Sequence, residues 1–459
     1  MNPATLTSVY FIGIGGIGMS AIARYFHTRG IVVAGYDKTE TSLTQQLQAE
    51  GIDVNYTEDL DVLPQKIDLV VYTPAVPRDH KQLVHLLNTG VPVMKRAQVL
   101  GLISQQQKTI AIAGTHGKTT TSSMVTHVLK SCDESVSAFL GGILSGYNTN
   151  YFLGDSEWVV VEADEFDRSF LHLTPEIAAV NSIDPDHLDI YGTADKVTEA
   201  YIAFIQKTRQ GGTVLLSQHA AIDLGPEIVN ALRLQYKVMT YGFDEANDIK
   251  LEIKGVEHGK VIFDFFSPMG SIESIASRMP GQHNVSNAAV AIAVALLLGK
   301  DKNAIANGVS TFKGVKRRFE WIVDGPKVYI DDYAHHPTEL KMAIGAARMM
   351  FPGKKLLGIF QPHLFTRTRD FADGFAEELA KLDEVILMEI YPAREEAIEG
   401  VNAQLLLDKM KHSHAALMDR PQILELISRG DFDVVMTLGA GNIDTLVPEI
   451  QKILTGKNG

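Results

Sequence analysis

The sequence has little cysteine, no excess of positive charge and no long apolar run, and each absence excludes a class of protein. A single cysteine, Cys132, excludes an intramolecular disulfide, and the N-terminus lacks the basic and apolar segments of a signal peptide, so we expect a cytoplasmic protein. The net charge of -13 argues against nucleic-acid or anionic-membrane partners. The most apolar long segment, residues 288–299, is shorter than the roughly 20 residues of a membrane span, and it predicts a buried helix.

The length and the pattern of apolar segments predict three α/β domains. A chain of 459 residues exceeds what one hydrophobic core usually holds. In the first hundred residues short apolar strands alternate with helix-like stretches, which indicates a parallel sheet with crossover helices. A polar stretch, SQQQK, then precedes a new strand, TIAIAG, and a third series of strands includes KVYIDDYAHH. We predict domains over residues 1–106, 107–319 and 320–459, with a β-rich insertion near residues 248–277.

A first glycine loop follows the first strand. Gly13, Gly15 and Gly18 form G-x-G-x-x-G, and Asp37 ends the next strand, where a carboxylate can meet a ribose hydroxyl. Glycine allows close approach to phosphate, and the following helix contributes N–H groups and a favourable dipole. The pattern predicts a ligand that contains pyrophosphate. A tight turn without ligand is the plainer interpretation, and NAD, as in an oxidoreductase, is the rival ligand.

A second glycine loop lies between strand TIAIAG and a helix. Gly114, Gly117, Lys118 and Thr119 form G-x-x-G-K-T, with Ile112 where the longer phosphate-loop pattern has its first glycine. Loop amides can hold phosphate oxygens, Lys118 can neutralise the terminal phosphates, and the Thr119 hydroxyl can bind Mg²⁺. Strand, loop and helix together favour a nucleoside triphosphate site over a helix start with an incidental lysine.

Two acidic segments offer metal ligands for this loop. The strand in VVVEADEFD ends in carboxylates led by Glu162, and Mg²⁺ prefers such oxygen ligands. The alternative is a solvated loop at a strand end. DPDHLDIYG places His187 among aspartates, and by residue type alone a structural histidine is at least as good an interpretation.

The motifs together resemble the Mur ligase family over essentially the whole chain. They are, in order, FIGIGGIGMS, GTHGKTTT, VEADEFDRSF, DPDHLDIYG, GQHNVSNAAVA, RRFE, IDDYAHHPTE and QPHLFTRTRD. The resemblance implies an α/β fold with an N-terminal Rossmann-like domain, a central P-loop ATPase-like domain and a C-terminal Rossmann-like domain. It is greatest to the branch that joins L-alanine to the carboxylate of UDP-N-acetylmuramate in peptidoglycan synthesis. That reaction uses ATP and Mg²⁺, releases ADP and phosphate, and proceeds through an acyl phosphate.

The resemblance also implies roles for residues of the first two domains. The first loop then binds the UDP-sugar instead of a dinucleotide, through Gly13, Gly15, Gly16, Gly18 and Asp37. The phosphate loop binds ATP through Gly114, Thr115, His116, Gly117, Lys118, Thr119 and Thr120, and Asn284 and Asn287 face the adenine. Thr119 and Glu162 hold Mg²⁺, and His187 belongs to a second metal site.

In the third domain the resemblance implies an amino-acid site. His335, Arg367 and Arg369 hold the incoming amino acid, and Arg318 lies at the entry to this domain near the phosphates. Arginine can bind a carboxylate with two hydrogen bonds, whereas without the resemblance TRTRD is an exposed basic loop. The chain departs from the commoner family pattern at four positions, which are Phe166, Arg168, Leu364 and Phe365.

Several alternatives stay open at this point. A related recycling ligase adds a tripeptide to the same sugar nucleotide and has the same ATP site, although HLFTRTRD favours the single-amino-acid enzyme. Folylpolyglutamate synthase lacks the N-terminal domain. An NAD-linked oxidoreductase leaves Gly114–Thr120 without a role, and a non-catalytic ATP-binding regulator does not need QPHLFTRTRD. The sequence does not indicate an oligomeric state.

Overall fold

A computed structural model describes residues 5–184, 188–257, 259–393 and 395–456. The chain forms three β-sheets, of five, ten and six strands. It divides into two compact units. The first comprises Met1–Gly255, Ile262–Ser277 and His283–Phe312, and the second comprises Val256–Val261, Arg278–Gln282 and Lys313–Gly459. The first unit holds the five-stranded sheet and most of the ten-stranded sheet, and the second holds the six-stranded sheet.

The five-stranded sheet is parallel throughout and has the order β3-β2-β1-β4-β5. Its strands are β1 Ser8–Ile12, β2 Val32–Tyr36, β3 Asp53–Asn55, β4 Leu69–Tyr72 and β5 Val93–Lys95. Its helices are α1 Ile17–His27, α2 Ser42–Ala49, α3 Lys81–Leu87 and α4 Arg96–Gln106, with a short 3₁₀ turn at Leu60–Val62. Because all strands run the same way, their carboxyl ends share one edge, where the first glycine loop lies.

The ten-stranded sheet has the order β15-β14-β13-β12-β11-β10-β6-β9-β7-β8. Its strands are β6 Lys108–Ala113, β7 Ser137–Leu144, β8 Thr149–Phe152, β9 Trp158–Glu162, β10 Pro175–Val180, β11 Thr213–Ser217, β12 Lys237–Gly242, β13 Ile249–Glu257, β14 Lys260–Phe266 and β15 Ile272–Ser277. The associated helices are α5 Lys118–Ser131, α6 Leu188–Tyr191, α7 Ala194–Ile205, α8 Gln218–Leu224, α9 Pro226–Arg233, α10 Gln282–Leu297 and α11 Lys302–Thr311, and a 3₁₀ segment covers Phe166–His172. The last three strands coincide with the predicted β-rich insertion, and α10 confirms the predicted buried helix.

The six-stranded sheet has the order β16-β17-β21-β18-β19-β20 and is parallel except for the edge strand β16. Its strands are β16 Glu320–Val323, β17 Val328–Asp332, β18 Leu356–Phe360, β19 Glu384–Leu387, β20 Ala415–Leu417 and β21 Val434–Leu438. Its helices are α12 Pro337–Met350, α13 Phe365–Asp370, α14 Ala372–Leu379, α15 Ala403–Met410, α16 Arg420–Arg429 and α17 Val447–Thr455, with a 3₁₀ turn at Asn442–Leu446. The central strands are buried, as expected for a parallel sheet covered by helices on both faces.

The first two sheets share one hydrophobic core within the first unit. Helix α1 packs against β7 and β8, and the buried Arg24 donates to Asn150 Oδ1 over 2.7 Å while pairing with Glu50. No helix in the described part of the chain has the length and apolar character needed to cross a bilayer. The α/β fold with three sheets is therefore confirmed, whereas the domain boundaries after residues 106 and 319 stay a prediction.

Candidate active site

The first glycine loop folds tightly onto its own neighbours. Gly13 has a φ of +85°, and its amide donates to Tyr36 O over 2.7 Å. The Gly15 amide donates to Asp37 Oδ2 over 2.7 Å, and a Cβ at Gly15 would lie only 2.8 Å from that oxygen. A Cβ at Gly18 would meet the Arg96 guanidinium. Glycine is therefore needed for the packing itself, while the contacts of Asp37 and of N-terminal cap Gly16 with a ligand stay predictions.

The second glycine loop leaves β6 and leads into α5. Gly114 and Gly117 have φ values of +136° and +79°, which explains glycine at both positions. The loop is fixed by the end of the neighbouring strand β10, because the His116 amide donates to Ser182 Oγ over 2.9 Å and the Thr115 amide to Ser182 O over 3.2 Å. Helix α5 begins at Lys118, so Thr119 and Thr120 lie in its first turn, where free amides favour an anion.

Glu162 comes to the phosphate loop through strand register. Residue Ile112 of β6 lies opposite Glu162 of β9, so the carboxylate ends its strand beside the loop. It accepts from the Gly141 amide over 3.0 Å and from the Thr119 hydroxyl. Burial raises the pKa of the Glu162 carboxyl, and the Lys118 ammonium opposes that rise. The structure thus brings together the two residues predicted to hold magnesium.

The hydroxyl and carboxylate oxygens at this point fit a hard divalent cation. Among the described residues, no group of three or more His, Cys, Asp or Glu side chains could hold a metal. A cation at Thr119 and Glu162 therefore needs further oxygens from bound phosphates or water, as is common for Mg²⁺. The other predicted ligand, His187, lies outside the described residues.

Glu165 is a site residue that the sequence analysis missed. Its Oε1 lies 2.8 Å from Lys118 Nζ, which also donates to Gly114 O over 2.8 Å. Burial raises the pKa of the Glu165 carboxyl, while Lys118 lowers it. The signal was present as the second glutamate of EADE, but sequence does not show which carboxylate of an acidic run turns inward.

The paired asparagines of α10 contact the start of α5. Asn287 Oδ1 accepts from the Thr121 hydroxyl over 2.9 Å, and its amide donates to Asn284 Oδ1 over 3.2 Å. A Cβ at Gly117 would lie 2.7 Å from Asn287 Oδ1. The buried asparagine pair therefore supports the phosphate loop from the side of α10. Asn181 also donates to the Thr121 hydroxyl, over 2.9 Å. An adenine contact stays a prediction.

In the second unit, His335 follows the end of β17 and begins a charged cluster. Its amide donates to Glu339 Oε2 over 2.9 Å, and its Nδ1 lies 2.9 Å from Tyr333 O. Arg318 Nη1 is 3.9 Å from Glu339 Oε1. Burial lowers the pKa of His335, although the Glu339 carboxylate raises it. The structure therefore brings Arg318 and His335 together through Glu339, which sequence reasoning missed.

Arg367 joins this cluster, whereas Arg369 points elsewhere. Arg367 Nη1 lies 3.4 Å from His363 Nδ1, and the His363 and His335 rings are 6.2 Å apart. Burial, assisted by Arg367, lowers the pKa of His363 to about 4. Arg369 is 53% exposed and pairs with Asp370 over 2.7 Å. Two residues apart on α13, the arginines face opposite sides of the helix, so their joint contact with one ligand stays a prediction.

The backbone around Arg318 is unusual. Its neighbours Arg317 and Phe319 both have positive φ, at 61° and 47°. The half-buried Asp332 carboxylate holds the turn by accepting from the Phe319 and Ala334 amides over 2.7 Å each. Burial raises the pKa of Asp332 to about 6, against an opposing effect of Arg318. One carboxylate therefore positions the two loops that carry Arg318 and His335.

Three of the four departures from the family pattern have a positive φ or an exposed side chain. Phe166 is 40% exposed, and Arg168 has a φ of 56° and lies over the Tyr191 ring at 5.5 Å. Leu364 has a φ of 71°, and Phe365 then begins α13.

Family models and known proteins match this chain along most of its length. Three models match: "Mur ligase family, catalytic domain" over residues 8–108, "Mur ligase middle domain" over 112–295, and "Mur ligase, glutamate ligase domain" over 317–441. The UDP-N-acetylmuramate--L-alanine ligase of Flavobacterium johnsoniae is 43% identical, with 99% of each chain covered. The protein of the same name in Cytophaga hutchinsonii is 44% identical and covers 100% of this chain and 99% of its own.

Solved structures give the same result for the fold. The UDP-N-acetylmuramate-alanine ligase of Thermotoga maritima superposes with a TM-score of 0.83 at 28% identity, covering 98% of this chain and 100% of its own. A murein peptide ligase of Psychrobacter arcticus has a TM-score of 0.67 at 22% identity, with 99% and 100% covered, and supports the fold alone. On sequence identity over the full length and on the three matching models, the chain belongs to the Mur ligase family.

Proposed function

We propose that this chain is an ATP-dependent ligase that joins the amine of L-alanine to the carboxylate of UDP-N-acetylmuramate, in the synthesis of peptidoglycan precursors. One observation carries the proposal. Strand register places Glu162 beside the loop that presents Lys118 and Thr119, in a chain that matches alanine-adding ligases over its full length. An amide does not form spontaneously from a carboxylate and an amine in water, and a phosphate loop indicates that ATP activates the acid.

The phosphate loop would hold and polarise the terminal phosphates. The amides of the first turn of α5 and the Lys118 ammonium offset the charge that gathers on the transferring oxygens. The muramate carboxylate attacks the terminal phosphorus of ATP in line with the bond to ADP. ADP leaves, and an acyl phosphate is formed. Thr119 and Glu162 are the residues that would hold Mg²⁺, whose bound charge neutralises the phosphates. The first glycine loop would bind the sugar nucleotide at the edge of the five-stranded sheet.

The charged cluster of the second unit would bind the amino acid. Arg318 and Arg367 bring two guanidinium groups to the cluster around Glu339, while His363 is neutral at pH 7. A guanidinium can bind the carboxylate of an amino acid through two parallel hydrogen bonds. The lowered pKa of His335 favours an imidazole that accepts a proton from the incoming amine. The amine then attacks the acyl carbon, and phosphate leaves from the tetrahedral intermediate.

Phosphate release tests the proposal directly. The purified chain is incubated with ATP, Mg²⁺ and UDP-N-acetylmuramate, with L-alanine or the cell-wall tripeptide added in separate reactions, and the products are identified by mass. Release with alanine, with the mass gain of one alanine residue, is the expected result. Release with tripeptide alone moves the chain to the recycling branch, and release that does not depend on the sugar nucleotide contradicts the proposal. Because both nucleotide substrates are cytoplasmic compounds, we place the reaction in the cytoplasm.

A further inference from the structure

The ammonium group of Lys118 is fully engaged by its surroundings. Its three N–H donors have three acceptors, which are Gly114 O at 2.8 Å, Thr115 O at 3.4 Å and Glu165 Oε1 at 2.8 Å. The lysine side chain is 14% exposed and that of Glu165 only 4%. A lysine in this setting has one preferred position over the loop, and the carboxylate is the only charged group among its three acceptors.

Glu165 itself is only half satisfied. Its second oxygen, Oε2, is buried and has no hydrogen-bond partner among the described residues. A buried carboxylate with an unmet oxygen is costly to keep, so folding stability alone does not account for it. A group beside a phosphate loop that is retained at such a cost is expected to act on the ligand or on a residue that touches it.

The backbone around Glu165 holds that carboxylate in place from both sides. The buried Tyr191 hydroxyl donates to Glu165 O over 2.6 Å. The flanking carboxylates pair with cations of the first sheet's edge, Asp164 with Arg96 at 3.0 Å and Asp167 with Lys95 at 2.6 Å. Asp167 is also in the left-handed region, with a φ of 51°. The segment is therefore over-determined, which is how a fold holds a side chain in one orientation.

We propose that Glu165 is a positioning residue for Lys118, which orients the ammonium over the phosphate loop and limits how tightly the loop holds nucleotide. The proposal rests on the assignment of Lys118 to the ATP phosphates made above. The carboxylate has two effects on the nucleotide. It restricts the ammonium to the geometry that phosphoryl transfer needs, and its negative charge opposes the bound phosphates and so favours the release of ADP.

These two effects predict opposite changes in affinity and rate. Glu165→Gln keeps the shape of the side chain but removes its charge. We expect Mg·ADP to bind about fivefold more tightly, because an acidic neighbour of the phosphates is gone. We expect kcat to fall about tenfold, because the ammonium is less well oriented and product leaves more slowly. A variant whose loop was merely damaged would bind nucleotide more weakly.

The experiment measures Kd for Mg·ADP by calorimetry and kcat by phosphate release for Glu165→Gln, Glu165→Asp and wild type, after thermal unfolding has shown that each is folded. Glu165→Asp retains the charge and is expected to return Kd to the wild-type value and to recover part of the lost kcat. Glu165→Ala removes every polar atom of the carboxylate and carries the test if Glu165→Gln does not fold. Weaker or unchanged nucleotide binding in a folded Glu165→Gln or Glu165→Ala overturns the proposal.

A matched control and a second variant separate this proposal from the one on which it rests. Glu157 forms a 2.6 Å ion pair with Lys108, but the Glu157 side chain is 61% exposed. Lys108 begins β6 and Glu157 directly precedes β9, the two strands that lead towards Lys118 and Glu165. Glu157→Gln makes the same chemical change there and should alter neither Kd nor kcat. Lys118→Ala should weaken nucleotide binding. If Lys118→Ala has no effect, the assignment of the phosphate loop is wrong; if it weakens binding while Glu165→Gln does not tighten it, only the role of Glu165 is wrong.

Discussion

The two glycine loops of the first unit share a scaffold and differ in what surrounds them. Each follows a buried parallel strand and leads into a helix, β1 to α1 and β6 to α5. In the first loop the Asp37 carboxylate accepts a hydrogen bond from the Gly15 amide. In the second, Lys118 opens the helix, and Glu162 and Glu165 come from a neighbouring strand end. In both loops the glycines therefore provide the space for phosphate, whereas the side chains at the ends of adjacent strands determine the chemistry.

The six-stranded sheet of the second unit offers a third version without glycine. Strand β17 ends at Asp332, and α12 begins five residues later at Pro337. There the Asp332 carboxylate accepts from the Ala334 amide of the turn and from the Phe319 amide of the loop that carries Arg318. A strand end followed by a helix can therefore be organised by a carboxylate that accepts backbone amides, as Asp37 also does beside the first glycine loop.

Of the substitutions in the two loops, removal of the Lys118 ammonium should have the largest effect on activity. We expect Lys118→Ala to lower phosphate release by about 10³-fold, because the charge on the transferring oxygens loses its principal counter-charge. Binding of UDP-N-acetylmuramate, measured by calorimetry, should change by less than about twofold because its loop depends on no lysine. Lys108→Ala, at the exposed start of β6, is the control. Parallel loss of both affinities would mean that the two loops are not independent sites.

The Asp332 carboxyl of the second unit should give the protein a pH-dependent stability. Burial raises the pKa of Asp332 to about 6 from 3.8, so the folded protein holds this proton more strongly than the unfolded chain. The contribution of Asp332 to stability is therefore greatest below the unfolded value and is lost as the pH rises through about 6. The difference between the two limits is about 3 kcal/mol.

Urea unfolding at pH 4.5 and pH 8 measures this effect. Asp332→Asn should lose stability relative to wild type at the lower pH and regain it at the higher pH, with Asp373→Asn, at an exposed carboxylate on α14, as the control. A pH-independent offset for Asp332→Asn would show that the pKa of the Asp332 carboxyl is the same in the folded and unfolded states.

Exchange of glycine for alanine in the two loops should separate the substrates. Gly114→Ala places a Cβ 2.9 Å from the Ser182 amide at a φ of +136°, and Gly15→Ala places one 2.6 Å from the Thr44 methyl group. Each should cost about 1–3 kcal/mol in affinity for its own ligand. Gly114→Ala should raise KM for ATP and Gly15→Ala that for the sugar nucleotide, in steady-state assays with the other substrate saturating. Gly345→Ala, where a Cβ meets open space on α12, is the control. Equal effects on both substrates would contradict the separation.

The smallest effect is expected at the half-exposed pair between Lys95 and Asp167. Its 2.6 Å contact is shorter than that between Lys118 and Glu165, yet both of its side chains are more than a third exposed. Solvent screening should limit the loss in Asp167→Asn to about 1 kcal/mol or less in the free energy of unfolding. The kcat should fall by no more than about twofold, because Asp164 and Tyr191 still hold the segment of Glu165. A large fall in kcat would mean that this pair determines the orientation of the acidic segment at the active site.

Much of the fold followed from local pattern, and so did the central residues of the site. Alternating apolar strands and helix-period segments predicted three α/β blocks, and the strand–loop–helix pattern placed Lys118 and Thr119 on the first turn of a helix. That Glu162 lies near them was expected from its place at a strand end. Arg369 shows the limit of this reasoning, because TRTRD supplies two arginines and only the helix of α13 determines that they face opposite ways.

The sequence by itself determined the order of elements, the glycines and the residue types of the site, because hydrophobic period and backbone freedom are local properties. Tertiary structure alone decided which side chains meet. Glu165 reaches Lys118, Asn287 supports Thr121, and Glu339 links His335 to Arg318, across sequence separations of up to 166 residues. Strand order, register and burial determine such contacts. They also decide which carboxylate in an acidic run turns inward.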